Sequence, residues 1–272
     1  MKKFIKFAKM SGAGNDFIII DNYKNNKVKI KGSQINLICR NKFSVGADGL
    51  MIIEKSKDKK CDFSMRYFNS DGNEAEMCGN GGRCIAKYAF LKGYAGKKMK
   101  FSAKDGEHTA EIMDKINVKL GMIEPFDIEK NIEIKIDGKI IKGHFANTGV
   151  PHFVVPVNDL NKIDVVNLGR TLRFHRFFGK SGTNVNFVYK KSENYFSIRT
   201  YERGVENETF ACGTGAVATA ILMGQNSPVK IKVKGGDLKV YFNKNGNEFK
   251  NVFLEGPATY IMEGIIFNEA LL

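Results

Sequence analysis

Apolar and polar positions alternate along most of the chain in short runs. Short β-branched or aromatic runs recur between Gly, Asn and Asp punctuation, over 4–9, 15–21, 49–54, 62–68, 98–102, 108–113, 131–136, 139–146 and 152–157. The second half continues the pattern over 184–189, 195–202, 229–234, 237–242, 250–255 and 258–263. Helical periodicity is scarce. Ile85, Tyr88, Ala89 and Leu91 share one apolar face that stops near Gly93. Val217, Ala220, Ile221 and Met223 share another that stops near Gly224. A shorter helix is expected after Ser33, read as its N-cap, before Ile35, Leu37 and Ile38. Many strands and two apolar helices predict an α+β protein.

The helices do not fall at arbitrary places. YFNSDGNEAEMCGNGGRCIA (67–86) aligns without a gap on YERGVENETFACGTGAVATA (201–220), 134 residues later. Tyr67 meets Tyr201, Glu74 meets Glu208, Cys78 meets Cys212, Gly79 meets Gly213 and Gly81 meets Gly215. Fainter echoes lie upstream, Gly46-Ala47-Asp48 with Gly182-Thr183-Asn184 and Phe17-Ile18-Ile19 with Phe153-Val154-Val155. An offset near half the chain length means two copies of one domain, not a solenoid. The predicted architecture is therefore two pseudo-symmetric domains, each a curled mixed or antiparallel, barrel-like sheet around a central helix. Gly121, Glu124-Pro125 and Asp127 break the strand pattern, which places the border at 1–122 and 123–262.

Each copy carries a Cys-Gly-x-Gly loop at a strand-to-helix junction. The first amides of a helix are unpaired and carry partial positive charge. A thiol there is favoured as the thiolate, and the same amides bind a carboxylate. One loop thus combines a reactive sulfur with an anion cradle. Several chemistries remain compatible with it: a redox pair, a Cys–His nucleophile using His152, or paired acid–base groups. Zinc is disfavoured, because Cys78 and Cys84 are six apart with no His nearby. Duplication separates the rest. Hydrolysis needs one nucleophile, whereas inversion of a carbon centre needs two equivalent proton carriers on opposite faces.

Composition narrows the setting. The net charge of +14 comes from 43 Lys and Arg against 29 Asp and Glu. Only 8 of the 43 are Arg, and the cations are spread through both halves, so the charge reads as a Lys-rich surface and not a nucleic-acid face. Five cysteines in 272 residues do not make a disulfide framework. No run reaches the ~18 apolar residues of a membrane span, and Lys2, Lys3, Lys6 and Lys9 interrupt any signal-type apolar stretch. A cytoplasmic protein with reduced thiols and no membrane contact is expected.

With these motifs in view, the chain resembles the diaminopimelate epimerases. The likeness rests on KMSGAGNDF (9–17), GADG (46–49), FNSDGNEAEMCGNGGRC (68–84), GVPHFVV (149–155), TNVNFV (183–188), YERGVENETFACGTGA (201–216) and GPA (256–258). It implies a cofactor-independent, metal-free isomerase interconverting LL- and meso-2,6-diaminopimelate, a precursor of lysine and peptidoglycan, with its site in the interdomain cleft. It implies Cys78 and Cys212 as the acid–base pair. Gly79, Asn80, Gly213 and Thr214 are implied to hold the reacting carboxylate. Asn15, Asn69, Asn184, Glu202 and Arg203 are implied to bind the distal amino-acid end, with Glu74, His152 and Glu208 as supporting residues. A homodimer is implied as well, as is return of residues 263–272 to the first domain. Val150 departs from the Asn that the family often carries before Pro-His, and bears on specificity. The rivals are another cysteine-pair isomerase of this fold, such as a proline racemase, and a redox-sensing binding protein using Cys78 and Cys212.

Overall fold

The computed structural model describes residues 4–24 and 28–271. The chain divides into two compact units, Met1–Leu120 with Gly256–Leu272, and Gly121–Glu255. In the first unit, strands β1 (Phe4–Gly12) and β2 (Asn15–Asn22) form a hairpin. Its two-residue turn, Ala13-Gly14, has φ of 56° and 85°, the backbone of a type I′ turn. This turn sets Asn15 directly opposite Gly12. Helix α1 (Gly32–Cys39) crosses over to β3 (Gly49–Glu54), which lies parallel to β2. Its N-cap is Lys31, with the Gln34 side chain accepting from the Lys31 amide, so Ser33 stands inside the helix and not at its cap. β4 (Phe63–Asn69) returns antiparallel to β3 and carries the short β5 (Glu74–Ala75).

Then comes α2 (Gly79–Leu91), and after it β6 (Lys98–Ala103), parallel to β4, with β7 (Gly106–Ile112) and β8 (Asn117–Gly121) following antiparallel. Residues Gly79 to Ala89 of α2 are almost all buried, and the helix packs on β1, β2, β3, β4 and β7. One helix touches strands from across the sheet only if the sheet curls round it. Its end is set by Gly93, at φ of 70°, whose amide returns to Phe90 O. The curled face supplies the core of Phe17, Ile19, Met51, Met65 and Phe101, while Ile18, Ile20, Leu50 and Ile52 pack under α1 on the other face.

The second unit repeats this order. β9 (Phe126–Ile136) and β10 (Lys139–Asn147) form a hairpin, β11 (Pro151–Pro156) pairs antiparallel with β10, and α3 (Val165–Arg173) leads to β12 (Asn184–Ser192), parallel to β11. β13 (Tyr195–Glu202) carries the short β14 (Asn207–Thr209), and α4 (Gly213–Met223) precedes β15 (Val229–Val233), parallel to β13, then β16 (Gly236–Asn245) and β17 (Glu248–Pro257). Helix α3 is the second unit's counterpart of α1. Its signals are Asp164 capping the Asn167 amide and buried Val165 and Leu172. They are easily passed over in a sequence where five of nine helical residues are polar or Gly.

β18 (Thr259–Phe267) pairs antiparallel with β1 and belongs to the first unit. Among the described residues no helix is long and apolar enough to cross a membrane.

Candidate active site

Each unit places one cysteine at the head of its central helix. In the first unit Cys78 is the N-cap residue of α2, in extended backbone, so the amides of Gly79 and its neighbours form the first turn of the helix, which has no intrahelical acceptors. Cys78 Sγ lies 3.8 Å from Asn15 Oδ1, and Asn80 Nδ2 is 3.4 Å from the same oxygen. Asn15 Nδ2 donates in turn to Asp48 Oδ2, which also accepts from the Asp16 amide at 3.1 Å. Lys9 closes the cluster, donating to Gly46 O at 2.7 Å and pairing with Asp16 at 2.8 Å. The two motifs 9–17 and 46–49 are therefore one polar scaffold that aims the Asn15 amide at the cysteine. Gly12 allows it: a Cβ there would stand 2.8 Å from Asn80 O.

Beneath this loop lies Arg83, fully buried and, among the described residues, with no carboxylate among its hydrogen-bond partners. It donates to Asn80 Oδ1 at 2.7 Å, Gly79 O at 3.3 Å and Pro257 O at 3.5 Å. Burial works against its charge, and the sulfurs of Cys84 and Cys78 favour it. One turn on, Lys87 donates to Lys115 O and Ala258 O, both at 2.6 Å. Neither cation stood out in the sequence, because an Arg and a Lys in the second and third turns of a helix read as solvated.

The second unit uses a different chemistry at the same place. Cys212 is the N-cap residue of α4 and its sulfur lies 3.4 Å from Thr214 Oγ1. Thr214 Oγ1 is 2.9 Å from His152 Nε2, and His152 Nδ1 is 3.0 Å from Asn186 Nδ2. Asn186 Oδ1 accepts from Thr200 Oγ1 at 2.9 Å. An amide nitrogen only donates, so His152 Nδ1 accepts and its proton sits on Nε2, pointing at Thr214. That leaves the threonine hydroxyl proton free to turn toward the Cys212 sulfur. His152 is neutral in this chain. Burial, and then the Arg203 charge, hold its pKa down at about 3. His152 and the Cys212 sulfur thus meet on the same Thr214 hydroxyl. Gly215 is required here, since a Cβ would meet Asn186 Oδ1 at 2.3 Å.

The pKa of His152 gives a stability prediction. The unfolded chain takes up the proton near pH 6.5, the folded chain only near 3. Folding is therefore fully supported above pH ~6.5, and support falls by about 1.4 kcal/mol per pH unit below it. Between pH 7 and pH 5 the His152→Gln variant should lose less unfolding free energy than the parent by roughly 2 kcal/mol, measured by urea titration. Equal losses in both proteins would refute a buried neutral His152.

The remaining candidates are held locally in each unit. Asn184 Nδ2 donates to Pro151 O at 2.9 Å and its Oδ1 accepts from the Arg203 amide at 2.8 Å, so these two form one local unit that sets the Arg203 backbone. Glu202 accepts from Thr209 Oγ1 at 2.8 Å. Asn69 closes the 69–73 turn through main-chain bonds to Asn73 and Gly72. Glu74 and Glu208 make no bond to the cysteines; each is held bidentately by an arginine, Arg66 and Arg199. Among the described residues no group of three or more His, Cys, Asp or Glu could hold a metal ion.

Two curled sheets, each with a cysteine at the head of its helix, define a fold shared with several solved structures. A hydroxyproline epimerase from Agrobacterium vitis aligns over 98% of this chain and 93% of its own, with a TM-score of 0.68 at 15% identity. A PhzF-family phenazine biosynthesis protein from Bacillus anthracis aligns over 97% and 99%, with a TM-score of 0.74 at 14% identity. Sequence narrows this fold to one family. The diaminopimelate epimerase family model matches residues 7–125 and 144–261, and this chain belongs to that family. The diaminopimelate epimerase of Hydrogenobaculum sp. (strain Y04AAS1) is 46% identical over 96% of this chain and 98% of its own. That of Aquifex aeolicus is 40% identical over 98% and 99%.

Proposed function

We propose that this isomerase interconverts LL- and meso-2,6-diaminopimelate by a two-base mechanism needing neither pyridoxal phosphate nor a metal. The observation that carries the reading is the placement of Cys78 and Cys212 at the N-caps of two equivalent helices, so that each sulfur stands at the positive end of a helix dipole. One thiolate takes the α-proton, so a C–H bond breaks and an S–H bond forms. The other thiol then gives its proton to the opposite face of the carbanion, leaving a thiolate behind. The dipoles and amides of the two helices favour the carboxylate and the charge that develops next to it. Gly79, Asn80, Gly213 and Thr214 bear that charge in this reading. Asn15 and Thr214 fix the sulfurs, and Asn69, Asn184, Glu202 and Arg203 receive the distal zwitterion. Rejection of substrates lacking that end follows from the polar groups they leave unpaired. The thiols stay reduced in a cytoplasmic setting, and the working form is a homodimer.

The test is incubation of the purified chain with LL-diaminopimelate in heavy water without added cofactor. The expected result is deuterium at the α-carbon together with the meso isomer, and no racemisation of proline. Turnover of proline in place of diaminopimelate would assign the chain to a different isomerase of this fold, and no exchange at all would refute the reading.

A further inference from the structure

The duplication extends further than the cysteine loops, and what it repeats there is an ion-pair latch. Phe63-Ser64-Met65-Arg66 of β4 reappears as Phe196-Ser197-Ile198-Arg199 of β13, at an offset of 133. One residue, Thr200, intervenes before the offset of 134 resumes at Tyr201. The register of the short strands shifts to match: Tyr67 faces Ala75, while Tyr201 faces Glu208. Despite the slip, both arginines reach the equivalent glutamate. Arg66 Nε and NH2 donate to the two oxygens of Glu74, both at 2.8 Å. Arg199 does the same to Glu208 at 2.7 and 2.8 Å. A lysine from the following hairpin turn completes each cluster. Lys104, between β6 and β7, donates to Glu74 O at 3.0 Å, and Lys234, between β15 and β16, pairs with Glu208 at 2.8 Å.

Stability does not account for the first of the two pairs. The Arg66 and Glu74 side chains are 44% and 34% exposed, and pairs this open contribute little to folding. Nor does the immediate surrounding impose it, since the two cysteine loops otherwise differ: Asn80 is matched by Thr214 and Arg83 by Val217. What the two clusters share is their place. Each glutamate lies four residues before its cysteine, and the bidentate fork fixes that segment to the strand beneath it in both angle and distance. The arginine side fixes the other carboxylate properties too: Arg66 holds Glu74 below the usual carboxylate range, and at Glu208 burial is outweighed by Arg199 and Lys234. Both carboxylates stay ionised.

We infer that Arg66–Glu74–Lys104 and Arg199–Glu208–Lys234 are paired positioning latches, each setting the aim of the one cysteine that follows it. The inference rests on the two-base reading, and it makes Glu74 and Glu208 positioning residues, not substrate ligands. The two latches differ in grip. Arg199 also donates to Leu160 O at 2.8 Å and Ile163 O at 3.2 Å and is less exposed than Arg66, so the second cysteine is held more firmly.

The test compares Arg66→Gln, Arg199→Gln and the milder Glu74→Gln and Glu208→Gln. Iodoacetamide labelling of the folded proteins, read by mass spectrometry, reports each cysteine separately. The expected result is a change of about threefold or more in the rate at Cys78 only for the Arg66 and Glu74 variants, and at Cys212 only for the Arg199 and Glu208 variants. With diaminopimelate, kcat should fall on the order of tenfold, more for Arg199, with KM little moved, because misplacing a reacting group costs rate more than binding. The exchanged double variant Arg66→Glu, Glu74→Arg should recover most of the Cys78 labelling rate. Unchanged labelling, or equal changes at both cysteines in every variant, would overturn the latches. Because labelling needs no substrate, it separates this failure from a wild-type chain that does not act on diaminopimelate.

Discussion

Cys78→Ala and Cys212→Ala should each lower net inversion of diaminopimelate by about 10³-fold or more, the range set by removing a positioned proton carrier. The two losses should differ in kind. With one thiol gone, the other still removes the α-proton of the stereoisomer that presents it. Solvent deuterium then enters that isomer without inversion, and the mirror variant shows the same for the other isomer. Chiral chromatography combined with mass spectrometry measures both. Retention of full inversion by either variant would end the two-base reading. Exchange into the same isomer by both variants would mean that the two sulfurs do not serve opposite faces. Neither variant is expected to unfold, since the two sulfurs sit at helix N-caps where their side chains make no capping bond.

Arg83→Met should be the most destabilising single change around Cys78. The argument has two opposing terms. Removing a buried charge relieves its desolvation, and an apolar replacement of similar length is often tolerated where an ion pair is replaced whole. Here there is no carboxylate to remove with it. Asn80 Oδ1, Gly79 O and Pro257 O would remain, having lost their donor. A buried acceptor stripped of its donor costs about 1–3 kcal/mol. With three acceptors against one relieved charge, a net loss of roughly 2–4 kcal/mol follows. Urea unfolding measures it. The rate should fall as well, because the same bonds fix the Gly79-Asn80 backbone beside Cys78. A variant as stable as the parent would show that Arg83 is not the brace of this loop. No such effect is expected from the second copy, where Val217 stands at the equivalent place.

Much of the fold was legible because strand and helix periods differ so clearly in this chain. The strand runs, both central helices and their glycine stops appear in the structure. So does the pairing of one curled sheet with one helix, twice over. What escaped has a common cause. The two-residue and three-residue strands β5 and β14 are too short to show a period. Helix α3 buries only three of its nine residues, so its apolar stripe is faint. The Arg66 and Arg199 latches were hidden by the single-residue slip at Thr200, which breaks an ungapped comparison just where they begin. The resemblance names their glutamates, Glu74 and Glu208, only as supporting residues, without an arginine partner for either.

By itself the sequence determined the duplication, the position of each cysteine at a helix start, and the family. These are properties of local order along the chain, where spacing and residue type are enough. Only the tertiary structure decided what stands behind each sulfur. Asn15 reaches Cys78 across 63 residues, and His152 reaches Thr214 across 62. Such contacts are created by sheet curvature, which brings hairpin turns and strand ends onto the head of the central helix. Curvature also buries Arg83 and makes His152 neutral, since a side chain's charge depends on the water it has lost and the partners it has gained. That is why two loops of nearly the same sequence end up with different supports, a buried cation under Cys78 and a neutral hydrogen-bonded chain under Cys212.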